Sequence, residues 1–213
     1  MYFLITGNEV DVWFRLIQNY DEYELATFLK DFSGPNRDVN HFLEHKAIDF
    51  EKADLAKTNL VVTNYQGSLK IAGYFSLSAK SLIFEKKEWK KLSNNQKRKL
   101  RPMGAKLKRN ESYYDIPAIL LGQLGKNYKY CNGKLISGEL LLKFVYESIA
   151  KATNVVAARV LYLEAEDINQ LTEFYTKNGF AMLKTFNDKK ETKPFIREKS
   201  QLHLFIKKIS DII

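Results

Sequence analysis

Residues 116–180 read IPAILLGQLGKNYKYCNGKLISGELLLKFVYESIAKATNVVAARVLYLEAEDINQLTEFYTKNGF, and the fold is decided there. The apolar run over 116–124 predicts a buried strand. A loop rich in small and amide residues follows over 125–137, and an amphipathic helix opens at about Gly138. A second strand is expected over 158–165. The segment ends in a short helix that stops on Asn178-Gly179, where glycine supplies the left-handed position past a helix end. In that helix Ile168, Leu171, Phe174 and Tyr175 recur at spacings of three and four, so they share one face.

A helix start suits an anion because its first four N–H groups lack partners inside the helix and the dipole places partial positive charge there. Gly133 and Gly138 let the backbone approach a ligand, Ser137 stands at the N-cap position and Lys134 offers a charge to phosphate. Two phosphate motifs are excluded: no Gly-Lys-Ser/Thr stands at P-loop spacing, and no Gly-x-Gly-x-x-Gly opens the helix. An ordinary strand-to-helix turn is the competing explanation of the loop. For Tyr175 it is a core tyrosine with its hydroxyl at the rim.

The late helix resembles that of the GNAT N-acetyltransferases, which carries a Phe/Leu-Tyr-x-x-x-Gly-Phe pattern. Here it is Phe174-Tyr175-Thr176-Lys177-Asn178-Gly179-Phe180. The family's phosphate loop reads Gln/Arg-x-x-Gly-x-Gly/Ala. With Gly138 as its last position this chain has Gly133-Lys134-Leu135-Ile136-Ser137-Gly138, a departure at Gly133 and Ile136. The resemblance covers roughly residues 38–209. Residues 38–77, DVNHFLEHKAIDFEKADLAKTNLVVTNYQGSLKIAGYFSL, are also similar to the tRNA-acetylating GNAT toxins of bacterial toxin–antitoxin pairs.

The resemblance implies an α/β (α+β) chain with a mixed, mostly antiparallel central sheet flanked by helices, in one domain over 1–213. It implies acetyl-CoA as cofactor, with its pyrophosphate on Gly133, Lys134, Leu135, Ser137 and Gly138. The backbone at Leu124, Gly125 and Lys126 would polarise the thioester carbonyl, and Asn169 is counted with the cofactor-binding residues. Tyr175 would protonate the CoA sulfur, since a phenol near ~10 and a thiol near ~8.5 can exchange a proton. No carboxylate lies in the strand 116–124. Glu164 is the nearest candidate for a general base, and an exposed strand-end charge is the equal alternative. The implied acceptor is a primary amine, with the α-amino group of an aminoacyl-tRNA as one branch. A homodimer and an antitoxin are further expected partners.

Charge points the same way. The net is +9, and residues 85–110 alone hold eleven basic and two acidic residues, so the remainder of the chain is neutral. Such a local cluster is a handle for a polyanion. Lys90, Lys91, Lys97, Arg98, Lys99, Arg101, Lys106, Lys108 and Arg109 are the candidate nucleic-acid contacts, with Trp89 as a stacking surface. The competing reading is a solvated helical insertion before the core strand, as helices over 85–92 and 94–100 broken by Pro102 and Gly104.

Elsewhere, an opening strand and helix are expected over 1–29 and a turn at Ser33-Gly34-Pro35-Asn36. One helix from about Asp38 carries Val39, Phe42, Leu43 and Ala47. The runs 60–63 and 68–78 form a hairpin, with Leu82-Ile83-Phe84 extending its second strand. Residues 187–199 read as a loop and 202–209 as a final strand in which His203 faces a neighbour. His41 and His45 have zinc-ligand spacing but lack the adjacent Glu and a third ligand, so no metal is expected. The lone Cys131 excludes an internal disulfide and has no nearby histidine to activate it. Neither a secretory signal over Met1–Ile5 nor a membrane span is read, and a cytoplasmic protein is expected. A second functional reading keeps the fold without the chemistry: a non-catalytic RNA-binding module with a degenerate loop.

Overall fold

The computed structural model describes residues 12–104, 106–107, 113–186, 192–197 and 200–212. Lys108, Arg109 and the N-terminal run at 1–5 lie outside them. The chain divides into two compact units, one of residues up to 78 with 121–148, the other of 79–120 with residues from 149 onward.

In the first unit, strand β1 (Val12–Leu16) leads to helix α1 (Glu22–Lys30), capped by the Asp21 carboxylate, which accepts from the N–H groups of Tyr23 and Glu24 at 2.9 Å. Helix α2 (Arg37–His45) is capped likewise by Asn36. Lys46 then breaks the helical path, so Ala47 starts a separate helix α3 (Ala47–Lys52) and not a continuation of α2. Strands β2 (Lys57–Tyr65) and β3 (Ser68–Ser78) are antiparallel. Their two-residue turn, Gln66-Gly67, has positive φ at both positions, the conformation whose twist suits a hairpin. Val61 and Val62 pair with Gly73 and Ile71, which leaves Ala72 as a bulged extra residue. Ile17, Phe28, Phe42, Leu43, Leu60, Ile71 and Tyr74 form this unit's core.

The second unit holds what the hydrophobic pattern misplaces. Strand β4 (Leu82–Glu85) does not extend β3. It heads a separate three-stranded sheet, joined through α4 (Lys86–Lys91), α5 (Asn94–Leu100) and β5 (Lys106–Leu107) to β6 (Tyr113–Ile116). The core strand also starts later than its apolar run. Pro117, which has no N–H for a ladder, separates β6 from β7 (Ala118–Lys126), so Ile116 belongs to the smaller sheet. Helix α6 (Gly138–Thr153), which belongs to the first unit as far as Ser148, buries Leu141, Leu142, Phe144, Val145 and Ile149, a stripe at helical spacing.

After α6 come β8 (Val160–Ala165), α7 (Asn169–Lys177) and β9 (Ala181–Met182). Strands β10 (Lys184–Phe186) and β11 (Thr192–Pro194) make a hairpin where a plain loop was expected, and β12 (His203–Lys208) closes the chain. The main sheet has seven strands in the order β1-β2-β3-β7-β8-β12-β9. Strand β7 runs parallel to β8 over three residues, Ala118–Leu120 against Val160–Tyr162, and β12 pairs antiparallel with both β8 and β9. Among the described residues no helix is long and apolar enough to cross a membrane.

Candidate functional site

The expected cofactor loop lies in the first unit. After β7 the chain is stapled down by Asn127, a residue the sequence did not single out. Its amide is fully buried: Nδ2 donates to the carbonyls of Asp31 (2.7 Å) and Ile71 (2.9 Å), and Oδ1 accepts from the N–H groups of Ser33 (3.1 Å) and Lys129 (3.0 Å). Its own N–H reaches the bulged Ala72 carbonyl at 2.9 Å. Each of these backbone groups would otherwise lack a partner away from water. Asp31 supports the same region, accepting from Lys129 (2.8 Å), Lys70 (3.3 Å) and the Tyr130 hydroxyl. Partial burial raises its pKa, but those three donors outweigh it and hold the carboxyl below the usual carboxylate range.

Past that staple, Cys131, Asn132 and Gly133 all take positive φ (48°, 50° and 76°). Left-handed backbone at two consecutive non-glycine residues is costly and marks a conformation the surroundings impose. A Cβ at Gly133 would stand 2.9 Å from the Tyr128 ring, so glycine is required there for its φ and for space. Lys126 approaches the same ring, its ammonium 5.8 Å from the centroid. Tyr128 thus gathers Lys126 and Gly133. The loop then enters α6. Ser137 caps it, its Oγ accepting from the Leu140 N–H at 3.0 Å. Lys134 is exposed and Leu135 half-buried, while Ile136, at the family's glycine position, is buried as an apolar anchor.

This donor set fits a pyrophosphate. The sixteen-residue helix α6 presents its first N–H groups next to an exposed lysine on a loop locked in shape, although Glu139 in its first turn opposes an anion. Gly125 has a packing role: a Cβ there would fall 2.6 Å from Val39 and 3.0 Å from Tyr74, so only its backbone could serve a ligand. Leu124 is half-buried on the same strand.

Tyr175, Glu164 and Asn169 belong to the second unit. Tyr175 is 8% exposed, packed edge-on to Phe174 and Phe180 (centroids 5.2 and 5.6 Å) and tilted on Phe205 (5.5 Å). Burial pushes its phenol up to about 12. Gly179 ends the helix with φ +82°, as the sequence requires, whereas Ile168, expected on the apolar face, precedes the helix and is exposed. Asn169 is exposed at the first position of α7. Glu164 is engaged on both oxygens: Oε1 accepts from Arg197 Nε (3.1 Å) and Oε2 from the Ser200 hydroxyl (2.6 Å).

The basic segment belongs to the second unit. Lys90, Lys91, Arg98, Lys99 and Arg101 are exposed, and Lys97 donates to the Lys90 carbonyl at 3.0 Å. Burial, with the Arg101 charge nearby, lowers the Lys97 ammonium from its ordinary value. Trp89 is no stacking surface. It is 4% exposed, lies face to face with Tyr114 at 4.1 Å and packs edge-on to Phe84. The helical alternation that exposes the lysines of α4 turns Trp89 and Glu88 inward. Cys131 is exposed, with its thiol 3.2 Å from the Tyr65 hydroxyl. His41 and His45 lie on an exposed helix face, and no metal-binding cluster occurs among the described residues.

No protein-family model matches the sequence, and no curated protein matches it. Solved structures do. A tyrosine-to-phenylalanine mutant of KacT aligns with TM-score 0.62 at 18% identity, over 94% of this chain and 96% of that one. AtaT complexed with acetyl-methionyl-tRNAfMet aligns with TM-score 0.60 at 18% identity, over 95% and 97%. A tyrosine-to-phenylalanine mutant of the AtaT toxin, bound to acetyl-CoA and the C-terminus of the antitoxin AtaR, aligns with TM-score 0.59 at 15% identity, over 94% and 95%.

Proposed function

Because the chain has the fold of the GNAT toxins over nearly its whole length, we propose that it is an acetyl-CoA-dependent N-acetyltransferase acting on the α-amino group of an aminoacyl-tRNA. The observation that carries this reading is the pairing of that fold with a tyrosine buried at the end of α7, followed by the Gly179-Phe180 stop. The AtaT complexes with acetyl-CoA and with an acetylated aminoacyl-tRNA support the two substrates.

Acetyl-CoA would supply an acyl group whose C–S bond breaks as the C–N bond to the acceptor forms. The loop from Gly133 to Gly138 and the start of α6 would hold its phosphates, and the backbone at Leu124, Gly125 and Lys126 would serve the carbonyl oxygen. Tyr175 would donate a hydrogen bond to the leaving sulfur, as the resemblance of its helix to that of the acetyltransferases implies. With the phenol near 12 its part is a hydrogen bond that strengthens as thiolate charge develops, more than the full transfer expected of an ordinary phenol. The attacking amine releases its proton to solvent. Glu164, held by Arg197 and Ser200, is in no position to be a free base, and an α-amino group with pKa near ~8 needs none. The exposed cations of α4 and α5 are proposed to meet the tRNA phosphates, and an antitoxin is the proposed protein partner, by analogy with AtaR.

The test is transfer of label from [acetyl-¹⁴C]acetyl-CoA to a mixture of aminoacyl-tRNAs, with uncharged tRNA as control. Label that appears only on charged tRNA is expected. Label on free amines but not on tRNA would displace the acceptor. RNA binding without acyl-CoA binding would instead favour a non-catalytic module.

A further inference from the structure

The last strand offers one face to α7. Side chains alternate along a strand, and on β12 Leu204 and Ile206 point into the core that contains Leu82, Phe84 and Trp89. His203, Phe205 and Lys207 therefore share the opposite face, and each meets α7 or the residues flanking it. His203 Nδ1 lies 3.7 Å from the Asp167 carboxylate just before the helix. Phe205 packs on Tyr175. Lys207 Nζ donates to the carbonyl of Asn178 at 2.8 Å, at the helix's C-terminal end. Phe205 and Lys207 thus hold the helix near its end and at its stop, while His203 only approaches the residue before it.

Phe205 touches Tyr175 itself, and the last contact reaches Tyr175 through the helix end. The final carbonyls of a helix have no partner inside it and carry partial negative charge, so an ammonium there is bound by a hydrogen bond and by the dipole together. The same ammonium lies 5.9 Å from the centroid of Phe180, whose ring packs on Tyr175. A Cβ at Gly179 would come within 2.9 Å of Nζ. The glycine of the Tyr-x-x-x-Gly-Phe ending therefore serves the left-handed turn and leaves room for the lysine.

We propose that Lys207 is a positioning residue for Tyr175, its ammonium tying the C-terminal end of α7 to β12 so that the phenol keeps one orientation. This rests on the reading of Tyr175 as the donor to the leaving sulfur. The lysine acts on catalysis through the helix end, from a half-buried place on β12.

The experiment is a double-mutant cycle in the full chain, with acetyl-CoA and bulk aminoacyl-tRNA as substrates and folding checked by thermal unfolding. Lys207→Met is expected to lower kcat about fivefold or more, with KM for acetyl-CoA changed less than about twofold. Lys207→Arg, which restores the cation, is expected to recover most of that loss. In a Tyr175→Phe background, Lys207→Met should cost less than about twofold, because the group it positions is gone. The full loss persisting in that background would overturn the proposal, as would an arginine variant as poor as the methionine one. If Lys207→Met does not fold, Lys207→Gln takes its place in the same cycle, with the same outcomes expected and excluded. Tyr175→Phe with undiminished turnover would be a different failure: it removes Tyr175 from the chemistry, and this inference with it.

Discussion

Tyr175 carries the most weight of any residue. Replacing it with Phe keeps the ring against Phe174, Phe180 and Phe205 and deletes only the hydroxyl. The expected result is a kcat lowered by about tenfold or more with acetyl-CoA binding unchanged, read from steady-state kinetics and calorimetry. The phenol also sets an alkaline limit. Its pKa is raised in the folded chain, so its contribution to stability is fully present below pH 10 and is lost as pH rises toward 12. Tyr146 and Tyr162 are pushed up to about 12 by burial too, so unfolding measured across that window should steepen. In Tyr175→Phe the fall should be shallower, and an identical pH profile would count against a buried phenol. Asn127 makes a second prediction at this scale. Asn127→Ala leaves two N–H groups and two carbonyls without their partners and should cost about 2–4 kcal/mol in chemical denaturation. Nothing in the residues around Asn127 announces that role, because three of its four side-chain partners are 56 to 96 positions away in sequence.

At the scale of elements, Arg197 links the basic insertion to the rest of its unit. It donates to Glu88 on α4 (3.2 Å), to the Ile83 carbonyl on β4 (2.8 Å) and to Glu164 on β8 (3.1 Å). Glu88 is nearly buried, so Arg197→Ala strands a carboxylate and should destabilise by roughly 2–4 kcal/mol; a change below about 0.5 kcal/mol would mean that the pairing contributes nothing. By contrast, neutralising Lys90, Lys91, Arg98 and Lys99, all exposed, should leave stability within about 0.5 kcal/mol while flattening the dependence of RNA binding on log salt concentration. An unchanged slope would move the RNA elsewhere. Local pattern found most elements: the hairpin at Gln66-Gly67, both basic helices, the helix from Gly138 and the stop at Asn178-Gly179. It failed where pairing is remote. Leu82-Ile83-Phe84 has the composition of a strand, yet only its partner at 113–116 shows that it leaves the main sheet. Trp89 among lysines resembles a surface aromatic until Tyr114 is seen against it.

For the whole molecule, the order of strands and helices was legible because the late helix and the loop before α6 carry local signals of turn and cap. What the loop binds was less so. Ile136 breaks the family's glycine pattern, and the structure assigns it to the core while the backbone of Gly133 takes the left-handed turn. An acyl-CoA site would then depend on backbone donors at the start of α6 more than on motif side chains. The most direct test is thermal unfolding with and without acetyl-CoA. At about a hundredfold excess over the dissociation constant, the ligand should add about 2.7 kcal/mol, a rise in Tm of roughly 5–10 °C for a chain of this size. That rise, absent with an equal concentration of a nucleoside lacking the pyrophosphate, is the predicted result. An unchanged Tm at saturating acetyl-CoA would contradict the assignment of the chain as an acetyltransferase.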